Sequence, residues 1–372
     1  MNNRLRELKE ILEEENLFDK TISFETRYAT AVNDDGVRNL LEFEAAYISD
    51  LTDMLEIKNG GKLLVVREDL NRGVDNHKKP VVGGLILRGV LQGAIPREGI
   101  DTLIDGGNYN SAQALNYYTK MLGMKGLYVM SRLFPQNIIN MIESEHFHVI
   151  IAPKTDKDGI EREFYTFLWN HMKKQEFRNN KHCLWHAKYG GKTMYPFGKE
   201  IASRLEERPD YVVSCLGAGS TLEGLQIPVQ DYFLETTVKK PKIIVGEHEL
   251  SPLFSKFIPC EKSHGLPQVV KEAINDVNPD FYTKIKELPH LVIGPHYDEI
   301  NPLLSKESIN RIDKIIQYSE HDWMAMQKYL DKKGISAGNS SAANMTVATN
   351  LANQGNTVLT IIFEPFRSFY KK

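Results

Sequence analysis

The chain has 372 residues, 41% of them hydrophobic, which is enough for two domains of ordinary size, each with its own core. A formal net charge of -3 leaves no electrostatic footprint for nucleic acid, and the basic pairs Lys78-Lys79 and Lys173-Lys174 read as solvated faces. No apolar run is long enough to span a bilayer, the N-terminus is polar and charged, and the cysteines Cys183, Cys215 and Cys260 form neither a disulfide framework nor a paired metal spacing. The expectation is a cytoplasmic protein without a nucleic-acid or membrane partner.

In chain order, Asn3 to Phe18 place Leu5, Leu8, Ile11, Leu12 and Leu17 on one helical stripe, facing their own domain or a partner subunit. A second helical pattern runs from Val37 to Ile57, and Lys62 to Arg67 reads as a buried strand. Turn formers from Glu68 to His77 then give way to Lys78-Lys79-Pro80 and an apolar segment, Val81 to Ile95. Thr102 to Ile104 is a strand candidate ending in Asp105-Gly106-Gly107-Asn108-Tyr109-Asn110, before a helix from Ala112 to Leu122. The rhythm repeats with strands at Gly126 to Met130 and Phe147 to Ala152 around a helix from Gln136 to Glu143. Strands alternating with helices at this spacing predict parallel α/β architecture, with ligand groups in loops at the carboxyl ends of strands.

A charged, aromatic segment comes next, containing His171, His182, Cys183 and His186. Its histidines read as surface or partly buried residues, because a zinc site would need a fourth ligand that the spacing does not supply. Pro209 to Leu225 is the most informative stretch: an apolar β-branched run, then Gly217-Ala218-Gly219-Ser220-Thr221, then a helix start. Such a loop either merely turns the chain or wraps a phosphate, since missing side chains let backbone N–H groups approach and Ser220 and Thr221 add hydroxyls. Leu222 occupies the place where a dinucleotide fingerprint needs its third glycine, which weakens a nicotinamide-dehydrogenase reading built on Glu247. Lys242 to Gly246 is another strand, His248 to Glu299 is proline-rich and irregular, and Ser319 to Lys333 and Ala342 to Ala352 are helices around Gly334-Ile335-Ser336-Ala337-Gly338. Thr357 to Phe363 closes the chain as a strand.

This order of landmarks resembles the cysteine synthase and cystathionine β-synthase family of pyridoxal-phosphate enzymes. It comprises a lysine opening a helix, strand-Gly-Gly-Asn-helix, strand-Gly-Ala-Gly-Ser-Thr-helix, Gly-Ile-Ser-Ala-Gly and a final apolar strand, and it covers roughly Lys62 to the C-terminus. The resemblance implies fold type II: two parallel-sheet α/β domains with the cofactor in the cleft between them. The boundaries expected are 72–190 for a smaller domain, and 1–71 with 191–372 for a larger one. It implies Lys78 as the catalytic, Schiff-base lysine, with Lys79 the weaker candidate because it precedes proline. Asn108, Gly217, Ala218, Gly219, Ser220 and Thr221 would bind pyridoxal 5'-phosphate, and Gly106, Gly107, Tyr109, Asn110 and Ser336 the amino-acid substrate; no metal is implied.

Two departures stand out. Gly106 and Tyr109 replace hydroxyls that grip the substrate carboxylate in the family, and Pro365 falls where the family places a serine facing the pyridine nitrogen. The neighbouring Glu364 is the candidate to take that serine's role. The implied activity is β-replacement or β-elimination on a serine- or cysteine-like amino acid by a homodimer; the alternative is a catalytically weakened binding or regulatory subunit.

Overall fold

A computed structural model describes residues 3–97, 99–134, 136–154, 160–237, 239–263, 267–273, 290–292 and 300–367. Three helices open the chain, α1 (Asn3–Glu14), α2 (Phe24–Asn33) and α3 (Asp35–Leu41), followed by strands β1 (Ile48–Asp50) and β2 (Lys62–Arg67). Next come α4 (Lys78–Leu91), β3 (Thr102–Gly107), α5 (Tyr109–Met121), β4 (Lys125–Ser131), α6 (Gln136–Ile142) and β5 (Phe147–Ala152). They are followed by α7 (Ile160–Met172), α8 (Gln175–Arg178), β6 (Lys181–Cys183) and the long α9 (His186–Ser203), which carries Pro196 inside it. The chain continues through β7 (Tyr211–Cys215), α10 (Ile227–Thr237), β8 (Lys242–His248), β9 (Cys260–Lys262) and α11 (Gln268–Ala273). It closes with α12 (Lys306–Asn310), β10 (Lys314–Tyr318), α13 (Glu320–Lys332), α14 (Asn339–Ala352) and β11 (Thr357–Ile362).

The chain forms two compact units, residues 1–45 with 78–196, and residues 46–77 with 197–372. In the smaller unit a four-stranded sheet, ordered β5-β4-β3-β6, is parallel throughout. Ile104, Val129 and Ala152 pack with Phe164 and Leu168 of α7. α4 and α5 pack against each other, and α4 is apolar on nearly all sides, as a helix covered all round must be. The sequence pattern groups residues 1–71 with the larger unit, but residues 1–45 belong to the smaller one. Buried tyrosines tie them there: Tyr28 donates to the Thr193 carbonyl (2.9 Å) and Tyr118 to the Leu41 carbonyl (2.9 Å). The helical pattern expected from Val37 to Ile57 also breaks early. Glu42 ends α3 in a left-handed conformation (φ 52°), and Leu51 and Leu55 bury in the larger unit's core from an irregular segment.

In the larger unit a seven-stranded sheet, ordered β1-β2-β11-β7-β8-β10-β9, is parallel except for the edge pair β1 and β2. α14 is buried along its whole length, and its Ala343, Val347 and Leu351 join Val65, Val213 and Val358 in the largest core cluster. Val212, Leu359 and Ile361 pack instead with Leu225, Val229 and Phe233 in a second cluster. Most of the proline-rich stretch from His248 to Glu299 lies outside the described residues after Lys262.

The carboxyl edge of this sheet is shaped by a break in its ladder. β11 and β7 pair only at Val358↔Tyr211 and Leu359↔Val212, after which side chains replace the ladder. Thr360 Oγ1 donates to the Val213 carbonyl (3.0 Å). The buried Asn344 amide of α14 accepts from the Cys215 N–H (2.6 Å) and donates to the Ile361 carbonyl (2.9 Å). The carboxyl ends of two neighbouring parallel strands are thus held apart with their backbone groups satisfied. Replacing Asn344 by Ala leaves a buried N–H and a buried C=O without partners, at roughly 1–3 kcal/mol each. Urea unfolding of Asn344→Ala should show a loss of about 2–6 kcal/mol; a loss below about 0.5 kcal/mol would mean that the strand ends do not depend on this amide.

Candidate active site

In the larger unit, β7 ends at Cys215 and the chain passes through Gly217-Ala218-Gly219 into a helix that begins at Ser220. A π-turn, Leu222–Gln226, opens it before α10. Gly219 sits at φ +92°, where L side chains are strained, and a Cβ there would approach Leu304 Cδ1 at 2.6 Å. Asn301 Nδ2 donates to the Ala218 carbonyl (2.7 Å), fixing that peptide. The backbone N–H groups of Gly217, Ala218, Gly219 and Ser220 donate to no described residue. The Ser220 hydroxyl is buried and has no hydrogen-bond partner among the described residues. Below the loop, the buried Gln226 amide donates to the Val212 and Ile244 carbonyls (both 2.9 Å) and accepts from Ser214 Oγ (3.0 Å), locking the helix onto the strands.

β11, the neighbour of β7, leads into Glu364, which is buried. Ser340 Oγ donates to Glu364 Oε1 (3.0 Å), and Ser341 Oγ lies 3.3 Å from the same oxygen. Gly338 makes room for it, since a Cβ there would collide with that carboxylate. Placed over the first turn of α14, the carboxylate also meets the positive end of the helix dipole. Pro365 is only half-buried, so of the two residues it is Glu364 that turns inward.

In the smaller unit, β3 ends at Gly107 and α5 starts at Tyr109, with Asn108 as the N-cap residue in extended conformation. Asn108 and Asn110 are half-buried, whereas Tyr109 is buried. Gly106 and Gly107 are buried; Gly107 takes φ +148°, and a Cβ on it would meet His186 Cε1 at 2.8 Å and the Tyr128 hydroxyl at 2.9 Å. The sequence pattern puts His186 on or near the surface. It is instead buried beside the equally buried Asp105, which accepts the His186 N–H (3.2 Å) and the Gly106 N–H (2.9 Å).

The two lysines before Pro80 have different surroundings. Lys78, half-buried, is the first residue of α4 and follows His77, whose N–H donates to the Phe363 carbonyl (2.8 Å). Lys79 is 2% exposed, with Nζ 3.8 Å from Glu44 Oε1, 4.0 Å from Glu42 Oε2 and 5.7 Å from the centre of the Tyr117 ring. Tyr117 in turn donates to Glu42, and burial followed by that carboxylate pushes its hydroxyl up to about 12. Ser336 is exposed and accepts from the Phe366 N–H (3.0 Å). Glu247 is not presented at its strand end: it accepts from the N–H groups of Leu253 (2.7 Å), Phe254 (2.6 Å) and Ser255 (3.3 Å), which removes the ribose-binding role a dehydrogenase would need. Burial pushes the Cys215 thiol up to about 12 and the Cys183 thiol well above its ordinary range, so both are inert core residues.

Comparison with known proteins adds the family. A profile described as "Pyridoxal-phosphate dependent enzyme" matches residues 51–362. The chain belongs to that family. Among solved structures, it is similar to a hydrogen sulfide-producing enzyme from Fusobacterium nucleatum (18% identity, TM-score 0.64, 87% of this chain and 94% of the other). It is likewise similar to an O-acetylserine dependent cystathionine beta-synthase from Helicobacter pylori (19%, 0.63, 92% and 96%). A third similar structure is O-acetyl serine sulfhydrylase isoform 3 from Entamoeba histolytica (18%, 0.62, 88% and 88%). These likenesses show the fold, that of the type II pyridoxal-phosphate enzymes. No curated protein matches the sequence.

Pyridoxal phosphate brings a dianionic phosphate, and the Gly217–Thr221 loop has the donors one needs: N–H groups and a buried hydroxyl without partners among the described residues, and a helix start. Sequence reasoning missed Ser340, Ser341, Asn344 and the Asp105–His186 pair. Two small hydroxyl residues right after Gly338-Asn339, at the start of an Ala-rich helix, were the available signal for the serines. Gly219→Asp should bind pyridoxal 5'-phosphate at least tenfold more weakly in equilibrium titration, because the side chain fills the loop and sets an anion beside a phosphate. Unchanged affinity would move the phosphate elsewhere.

Proposed function

We propose that the protein catalyses β-replacement or β-elimination on a serine- or cysteine-like amino acid, a cysteine synthase-like transferase or lyase reaction. The observation that carries this reading is the Gly217–Thr221 loop, whose Ser220 hydroxyl has no partner among the described residues, in a chain of the pyridoxal-phosphate dependent family. The named activities of the similar structures, hydrogen sulfide production and O-acetylserine chemistry, support the reaction class. When bound, pyridoxal phosphate supplies the electron sink that acidifies the substrate Cα–H and lets a β-substituent depart with its bonding pair.

The chain's own groups have defined tasks in this reading. Gly217, Ala218, Gly219, Ser220 and Thr221 would hold the phosphate. Asn108 would orient the cofactor ring, and Gly106, Gly107, Tyr109 and Asn110 form the turn against which the substrate would be placed, where helix-start N–H groups favour a carboxylate. Lys78 would hold the cofactor through its amine, and its Nζ would take the proton from the substrate Cα. Lys79 is unsuited to this, because its side chain is buried and its Nζ is turned toward Glu42, Glu44 and the Tyr117 ring. Ser336, exposed and supporting Phe366, is given no part. We place the enzyme as a cytoplasmic homodimer, a state that sedimentation would read directly.

Lys78→Ala should purify folded and lack the covalently bound visible absorbance, while Lys79→Ala keeps it; a borohydride-reduced adduct mapped to Lys79 would reverse the assignment. Glu364 is proposed as the carboxylate facing the pyridine nitrogen, supported by its burial at the end of β11, next to the strand that carries the phosphate loop. A carboxylate there stabilises the protonated ring and strengthens the sink. In titrations of the protein, pyridoxal phosphate should bind at least tenfold more tightly than its deaza analogue lacking the ring nitrogen, and Glu364→Gln should erase most of that difference. A ratio unchanged by Glu364→Gln would remove the residue from the ring.

A further inference from the structure

Asp105 and His186 lie at the carboxyl ends of β3 and β6, which are neighbouring parallel strands, so both stand on the edge where open α/β sheets take ligands. Both are 3% exposed. Asp105 is engaged on each oxygen: Oδ1 accepts from the Gly106 N–H (2.9 Å), and Oδ2 from the His186 N–H (3.2 Å) at the start of α9. The imidazole Nδ1 lies 3.3 Å from Asp105 Oδ1, yet is not aligned for a hydrogen bond and has no other partner among the described residues. Nε2 makes no hydrogen bond to a described residue, and lies 3.3 Å from where a side chain on Gly107 would begin. The Tyr128 hydroxyl stands 2.9 Å from the same point and donates to Ser111 Oγ (2.8 Å), which donates to the Asn108 carbonyl (3.1 Å). Around the Gly107-Asn108 turn the smaller unit therefore holds a buried imidazole backed by a carboxylate, at a position kept open by a glycine.

We propose that His186, held by Asp105, is the specificity-determining residue that fixes the substrate's α-carboxylate at this turn. The proposal rests on the amino-acid reaction argued above. With Asp105 beside Nδ1, the opposite ring nitrogen, Nε2, is the one presented at the turn, where its N–H can donate. A carboxylate is the ligand that completes this arrangement, through a charge-assisted hydrogen bond in a site already supplied with the N–H groups of a helix start. It also explains how the chain dispenses with hydroxyl side chains at positions 106 and 109, where it carries Gly106 and Tyr109. The substrate class implied is amino acids with a free carboxylate; amides and esters are disfavoured.

The test is a spectral titration of the pyridoxal-phosphate-loaded protein with L-serine and with L-serinamide, which lacks the carboxylate. Wild type should prefer serine at least tenfold. His186→Phe should lose that preference with cofactor affinity unchanged, and His186→Gln, which retains an N–H donor at similar reach, should keep most of it. If His186→Phe does not fold, as judged by its melting curve, His186→Ala is read in its place. A serine preference that survives either replacement overturns the role of His186 while leaving the reaction class standing. Loaded wild type that responds to neither ligand overturns the amino-acid reading and this inference with it.

Discussion

The amide of Asn344 is the interaction on which the carboxyl edge of the larger unit's sheet depends. A parallel ladder that continued past Leu359↔Val212 would carry β11 and β7 side by side into their loops and close the gap between them. By accepting from Cys215 and donating to Ile361, Asn344 ends the ladder without leaving a backbone group unsatisfied. Two strand ends then emerge separately from one sheet, one into a loop with unengaged N–H groups, the other into a buried carboxylate. The amide is tolerated at the sheet's centre because α14 is made of small residues, Ala342, Ala343 and Ala348 among them, which let a short polar side chain reach both strands.

The smaller unit handles its polar groups by a different device. Its buried charges come with partners: Lys79 with Glu42 and Glu44, and Asp105 with His186 and two backbone N–H groups. Taking a lone ion out of water costs several kcal/mol, of the same order as the net stability of a whole domain, so such groups persist only when compensated. Compensation also sorts them chemically. Lys79 is turned toward two carboxylates, whereas Lys78, one residue earlier at the start of α4, is half-buried and lies about 100° away round the helix axis. Adjacent residues with the same side chain thus acquire different surroundings.

Much of the fold was legible because parallel α/β units announce themselves. The runs Lys62–Arg67, Phe147–Ala152 and Thr357–Ile362 are short, β-branched and bounded by turn formers, and all are strands. Where the pattern misled, the cause was tertiary. Leu51 and Leu55 fall at helical spacing but bury from an irregular segment, and residues 1–45 give no sign of which unit their apolar stripe covers. The Gly217–Thr221 loop was legible as a possible phosphate cup, since its chemistry is local: small residues, hydroxyls and a helix start in one stretch. By contrast the Asp105–His186 pair joins positions 81 apart in sequence, and Glu364 with Ser340 and Ser341 joins a strand end to a helix start. Neither sequence spacing nor residue type marks such pairs before the chain is folded.

The departures from the family pattern can be weighed by what stands in their place. Had Gly106, Tyr109 and Pro365 marked a chain relieved of catalysis, apolar packing would be the simplest replacement for the lost hydroxyls, since buried polar groups cost roughly 1–3 kcal/mol when unsatisfied. The positions nearby are polar instead. A buried imidazole backed by a carboxylate lies against the Gly107 turn, and a buried carboxylate held by serines follows β11 in place of an exposed side chain. Ser220 remains a buried hydroxyl with no partner among the described residues, in a loop held at φ +92° by a glycine that tolerates no side chain. The protein's own groups hold the two carboxylates, while the Ser220 hydroxyl is left for a ligand to partner, and this weighs for an enzyme with an altered substrate grip over a subunit that merely keeps the family's shape.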